Sequence, residues 1–313
     1  MAKSDENKNK WTVVITVLVM LTLLSFILAG FFSLFIDTDF ESLSGNVALI
    51  EIKGTIISEK DHGFLFEDVT SSAEVIKLIQ RADKNPSIKA IIFEINSPGG
   101  SAVASEEIAD AIKKTNKTTA ALIREIGTSG AYWIASASDL IVANRMSITG
   151  SIGVIASYLD FSGFLSDHNV SYERLVSGQY KDIGSPFKEL TPAERVLFQK
   201  SIDRIHDYFV EEVAKNRKLK KSDVEGIATG LFYLGSEAKD LGLVDILGGI
   251  DEAEEFWEKE IGTEVEIVRY KREKTLVDVL GDVFSKQSFF VGKGIASGFL
   301  TKAKLADSIS IST

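Results

Sequence analysis

The chain contains no cysteine, so it can hold no disulfide framework, thiol nucleophile or cysteine-ligated zinc. Histidine is almost as scarce. Only His62, His168 and His206 are present, none in a His-Glu-x-x-His spacing, so no metal or other cofactor is expected. Clustered basic charge is missing too. A formal net charge of -10 argues against a nucleic-acid partner, because a phosphate backbone is held by an excess of Lys and Arg. The 45% hydrophobic and 26% charged content is that of a folded protein able to bury a sizeable core. No repeat at a fixed period is visible, so one functional unit per chain is expected.

One long segment has no charge at all. Trp11 to Ile36 is dominated by Val, Leu, Ile and Phe and is long enough for a hydrocarbon core of about 30 Å at about 1.5 Å per residue. A cleaved signal peptide would have a shorter apolar stretch and a small-x-small site. A core helix would have to hide apolar surface on every side. The segment is therefore expected to be a transmembrane helix, with membrane lipid around residues 11–36. Lys3, Lys8 and Lys10 precede it, while Asp37, Asp39 and Glu41 follow. That asymmetry places the amino terminus (1–10) in the cytoplasm and the rest outside, beyond a linker at 37–45.

From Asn46 onward, strand-like and helix-like runs alternate. Val47 to Ile52, Ala90 to Ile95, Thr119 to Ile126 and Leu140 to Ala143 read as strands, and Ser72 to Arg81 and Ala102 to Lys113 as helices, with a short helix after Ser129. Thr191-Pro192-Ala193-Glu194 supplies an N-cap, a first-turn proline and a capping-box Glu for a long amphipathic helix to about Lys218. A helix near Asp251 to Lys259 and a strand at Glu264 to Val268 follow. This alternation predicts an α/β domain over 46–270, with a mixed, largely parallel sheet covered by helices. Residues 271–313 form a tail with an amphipathic stretch from Thr275 to Phe284 and no reactive cluster.

Two loops stand where chemistry is usually placed. Asn96-Ser97-Pro98-Gly99-Gly100-Ser101 follows a buried strand and precedes a helix. A Gly-Gly pair there can turn sharply and present bare N–H groups, although an ordinary strand-to-helix turn favours the same residues. Gly127-Thr128-Ser129-Gly130-Ala131-Tyr132-Trp133 ends the next long strand, with small residues around Ser129. A serine on such a corner exposes its hydroxyl to a substrate, or simply caps the helix behind it.

Taken together with Thr149-Gly150-Ser151-Ile152-Gly153-Val154 and Tyr180-Lys181-Asp182-Ile183-Gly184-Ser185-Pro186, these motifs resemble the signal peptide peptidase A family in content and order. The resemblance covers roughly residues 46 to 260. It implies the fold shared with Clp protease and the crotonases, and a serine protease with a Ser/Lys dyad. Ser129 matches the nucleophile, Lys181 the general base and Ser151 the hydroxyl that steadies the lysine. The N–H groups of Gly100 and Gly130 match the oxyanion hole. It further implies peptide substrates such as signal peptide remnants, and a homo-oligomer. A lysine base works only when neutral, and its ordinary pKa of about 10.4 requires burial to lower it. A Ser-His-Asp triad would need one of the histidines instead, and His168 has the least unfavourable position, before a strand-like run. The rival functions are a crotonase-type acyl-CoA enzyme using the same oxyanion hole, and an inactive membrane scaffold on a protease-like fold.

Overall fold

The computed structural model describes residues 2–36, 45–59 and 69–271. The chain divides into two compact units, one running Ser42–Lys271 and the other containing the amino-terminal helix.

That helix, α1 (Ala2–Ile36), covers the whole apolar run. Most of its large side chains from Trp11 to Phe31 are exposed, as expected of a helix apolar on all sides. Among the described residues no helix is long and apolar enough to cross a membrane. His62 and the tail from Thr275 onward lie outside the described residues.

The other unit is built as β1 (Val47–Ile57), β2 (Val69–Ser71), α2 (Ser72–Lys84), β3 (Ala90–Gly100), α3 (Ala102–Lys114), β4 (Thr118–Thr128), α4 (Gly130–Ser136), β5 (Leu140–Ala143) and β6 (Ile148–Gly150). The chain continues through α5 (Ser162–Asp167), α6 (Pro192–Arg217), α7 (Lys221–Ile227), β7 (Phe232–Leu234), α8 (Gly235–Asp240), β8 (Ile246–Leu247), α9 (Ile250–Ile261) and β9 (Ile267–Tyr270). The strands form one sheet with the path β2-β1-β3-β4-β5-β8, while β9 joins β1 and β6 joins β4. Every ladder is parallel except β6 with β7. The α/β class and the mostly parallel sheet follow from the alternating pattern.

Successive side chains of a strand point to opposite faces, and here both faces are covered. On β3, Ile91, Phe93 and Ile95 pack into the core formed with α2, α3, α4 and α6. Ala90 and Ile92 pack into a smaller core under Trp257 of α9. This explains the unbroken apolar run, since neither face of the strand meets water. The capping box at Thr191 and Glu194 is present and opens α6 where the sequence places it.

One local expectation needs correction. The Gly99-Gly100 turn is the bulged end of β3 rather than a loop after it. The ladder with β1 shifts register between Lys53 and Thr55, and that with β4 between Ile95 and Ser97. Pro98 is tolerated because a bulge frees its position from the ladder. Gly99 takes a φ of 100°, open to glycine and strained for other residues.

Candidate active site

The centre of the site is the junction of β4 and α4. Ser129 sits there with φ 53° and ψ −125°, a backbone conformation that non-glycine residues rarely adopt. Its amide donates to the Gly150 carbonyl at 2.8 Å and its carbonyl accepts from the Trp133 amide at 3.0 Å, so sheet and helix both hold the corner. The side chain makes no capping bond to α4. The reading of Ser129 as a helix-capping serine is therefore not met, and its hydroxyl is left for another partner.

Around it stand the backbone donors. Strand amides alternate between edges, and the Ser101 amide goes to the Ile56 carbonyl of β1 at 2.8 Å. The Gly100 amide therefore faces the other edge, where Gly130 lies. A Cβ placed on Gly130 would come within 3.4 Å of the Gly100 nitrogen, and one on Gly99 within 2.8 Å of the Gly130 nitrogen. The two glycine amides are thus neighbours, and that of Gly130 belongs to the first turn of α4, where helix amides have no intrahelical acceptor. Close backbone approach makes glycine necessary at position 100 as well, since a Cβ there would lie 2.1 Å from the Ile56 carbonyl oxygen.

Ser129, Gly100, Gly130 and Ser151 line one cavity. Ser151 also has a left-handed backbone, φ 50°, and its hydroxyl donates to the Gly230 carbonyl at 3.0 Å. Lys181 does not line the cavity. It is exposed, and its amine makes no hydrogen bond or ion pair among the described residues. The structure of a single chain brings together four of the five sequence-chosen residues and leaves the lysine apart.

α6 supplies Gln199 and Asp203, which the sequence did not single out, and His206, one of the three histidines it offered. Gln199, Asp203 and His206 line the same cavity, with Trp133 and Phe209 stacked at 4.8 Å as an apolar wall. His206 Nε2 lies 3.0 Å from the Ala228 carbonyl. The capping box announced this helix, but the amphipathic pattern expected of it is met only near its end, where Phe209, Val210, Val213 and Ala214 are buried, and does not say which face would close over Ser129. His168 lies elsewhere, exposed and stacked on Phe164 at 4.1 Å, with Nδ1 at 2.9 Å from the Phe164 carbonyl.

The segment carrying Lys181 has its own electrostatics. Arg174 binds both carboxylate oxygens of Asp182 and holds its carboxyl below the usual carboxylate range. Lys188 reaches Glu194 at 2.6 Å, and that ammonium and the Thr191 amide keep the Glu194 carboxyl low as well.

Comparison with known proteins gives the family. Residues 111–264 match the model of peptidase family S49, and residues 57–163 match that of Clp protease. Over 233 residues the chain is 30% identical to a protein of Enterococcus faecium described as the signal peptide peptidase SppA, covering 73% of this chain and 68% of that one. The chain belongs to the signal peptide peptidase A family. This member is also 36% identical over 180 residues to a protein of Methanocaldococcus jannaschii described as a protease, covering 57% of this chain and 58% of that one. It is 32% identical over 215 residues to Protease 4 of Haemophilus influenzae, covering 68% of this chain. It spans only 34% of the length of Protease 4.

Proposed function

We propose that this chain is a membrane-anchored serine endopeptidase in which Ser129 attacks a peptide carbonyl and Lys181 of a neighbouring copy takes the serine proton. The observation that carries the reading is Ser129 itself: a strained corner residue with an uncommitted hydroxyl, beside two glycine amides in one cavity. Strain at a non-glycine position persists where the surroundings enforce it, and it is characteristic of functional sites.

The chemistry follows from those groups. The hydroxyl oxygen forms a bond to the carbonyl carbon while its proton passes to a neutral amine. The carbonyl π pair moves onto oxygen, where the Gly100 and Gly130 amides stabilise the charge. The tetrahedral species expels the leaving amine, which takes the proton from the ammonium, and an acyl-Ser129 remains. Water then repeats the sequence and frees the serine.

A second copy as source of the lysine is supported by what surrounds it. The segment from Ile155 to Phe187 exposes Ile155 at 91%, Leu175 at 99%, and Leu159 and Phe164 by more than half. Exposed apolar clusters of this kind mark contact surfaces. Covering the segment with another copy would bury that surface and remove water from around the Lys181 amine, which a lysine base requires. Membrane anchoring rests on α1, uncharged from Trp11 to Ile36, with Lys3, Lys8 and Lys10 before it and acidic residues after it. An external site with an apolar wall of Trp133 and Phe209 suits apolar peptides near the membrane, remnant signal peptides among them.

One observation favours a second reading. His206 shares the cavity with Ser129 and Asp203, so a histidine base needs no second copy. Mixing separates the two. Ser129→Ala and Lys181→Ala chains should each fail to cleave an apolar peptide, and their equimolar, reassembled mixture should recover about a quarter of wild-type activity, as random pairing in a symmetric ring requires. No recovery in a verified mixed assembly would exclude a lysine supplied by a neighbour, and full activity in Lys181→Ala would exclude lysine as the base.

A further inference from the structure

Between α5 and α6 the chain runs from His168 to Thr191 without a helix or strand, and Lys181 lies in the middle of it. A base on such a segment has little regular structure to fix its direction. What holds the turn is one arginine. The Arg174 guanidinium binds both carboxylate oxygens of Asp182, through Nε and, at 2.7 Å, through Nη2, and Nη2 also donates to the Gln179 carbonyl at 3.2 Å. Gln179 and Asp182 flank the dipeptide Tyr180-Lys181 in the sequence. The fork therefore grips the backbone on one side of the lysine and a side chain on the other. Consecutive turns complete the grip, with the Lys181 amide bonded to the Gly178 carbonyl at 3.1 Å and the Ser185 amide to the Asp182 carbonyl at 3.0 Å.

The grip is also tied to the cavity. Lys188 lies 3.9 Å from Asp182 and 2.6 Å from Glu194, and Glu194 is the capping-box residue of α6. Further along that helix, Asp203 and His206 wall the cavity around Ser129. A chain of charged contacts thus links the lysine turn to the helix beside the nucleophile. Ion pairs this close to the surface add little to stability, but a bidentate arginine–carboxylate pair fixes geometry.

We infer that Arg174 is the positioning residue of the lysine turn, holding Gln179 and Asp182 on either side so that the Lys181 side chain leaves the backbone in one fixed direction. The inference rests on the proposed role of Lys181 as base. It makes Arg174, with Asp182 as its counterpart, a requirement of the proton-transfer step and not of substrate binding or assembly. Displacing a catalytic group by about 1 Å costs on the order of 100-fold in rate.

The test uses the full chain in detergent, with a peptide substrate assayed for kcat and KM and the assembly sized by light scattering. Arg174→Ala should lower kcat by about 10- to 100-fold, with KM and assembly unchanged. Guanidinium ion added at millimolar concentration should restore part of that kcat in Arg174→Ala and none in Lys181→Ala. Asp182→Asn, which keeps the shape and loses the charge, should show the same fall if Arg174→Ala does not fold. Arg174→Lys should fall between, since one ammonium cannot span both partners in the same way. Unchanged kcat in Arg174→Ala and Asp182→Asn, with Lys181→Ala inactive, would overturn the clamp while leaving the base in place. Loss of the assembly together with kcat would also overturn it, by making the role structural. Full activity in Lys181→Ala would remove the base and the clamp with it.

Discussion

The Ser129 amide donates to the Gly150 carbonyl at 2.8 Å, so the corner serine is bonded to the residue immediately before Ser151. Both serines have left-handed backbones, φ 53° and 50°. The joint between them extends the β4–β6 ladder, in which Thr128 pairs with Gly150. Two strained residues are thus held by sheet hydrogen bonds, and the Thr149 hydroxyl braces the same ladder by donating to the Gly127 carbonyl at 2.8 Å. Rigid strands, not loops, aim the hydroxyl.

Strain of this kind should be recoverable as stability. Glycine adopts positive φ without the steric cost that serine bears, so Ser129→Gly should raise the free energy of unfolding by about 1 kcal/mol while abolishing turnover. Ser129→Ala keeps the Cβ and should abolish turnover with no such gain. Urea unfolding of both variants checks this, and equal midpoints for the two would mean that the corner carries no strain.

A methyl group at Gly130 should be costly for a different reason. Its Cβ would lie 2.3 Å from the Ser105 hydroxyl, which is fully buried and bonded to the Ser101 carbonyl at 2.9 Å. Gly130→Ala is expected to destabilise by about 1–3 kcal/mol through overpacking. Ser105→Ala in the same chain should return part of that loss, because the nearest remaining atom is then the Ser105 Cβ at 3.2 Å. Additive losses in the double variant would show that the clash lies elsewhere.

Acid should release the lysine segment before it unfolds the core. Arg174 lowers the Asp182 pKa and Lys188 that of Glu194, so folding favours the ionised forms of both carboxyls. Their contribution is complete above the ordinary carboxylate range, about pH 4, and is lost as pH falls through the depressed folded values. Amide protection between His168 and Thr191, taken relative to the intrinsic exchange rate, should therefore fall below about pH 4, while that of β3 and β4 is kept. Asp182→Asn should remove most of this pH dependence near Lys181, and an unchanged acid response in that variant would assign it to other carboxyls.

Much of the site could be read from the sequence because it sits where strands end. β5 has the expected bounds, and β3 and β4 contain their expected runs, because a strand buried on both faces leaves an unbroken apolar signature. Those strand ends placed Gly100, Ser129 and Gly130 together. The short β6, β7 and β8 went unseen because two- to three-residue strands carry no periodicity of their own. The partnership of Ser129 with α6 was hidden for another reason. It depends on how a helix lies across the sheet, which no local pattern around His206 records. The distance of Lys181 from the cavity has the same origin, since a motif records residue identities and not where the segment carrying them lies.

His206 offers the sharpest test of the base, because its hydrogen bond constrains its protonation. The Ala228 carbonyl can only accept, so Nε2, at 3.0 Å, carries the hydrogen and is not free to take a proton from Ser129. The lone pair then lies on Nδ1, and a histidine base would have to use that atom or break the bond to Ala228. His206→Gln can keep a donor toward Ala228 while removing the base. General acid–base groups contribute about 10²- to 10⁴-fold to rate, which sets the scale for the comparison. If Lys181 is the base, His206→Gln should stay within about tenfold of wild-type kcat while Lys181→Ala loses at least about 100-fold. The reverse order, with His206→Gln inactive and Lys181→Ala active, would move the proton transfer to the histidine and with it remove the need for a second copy at the site.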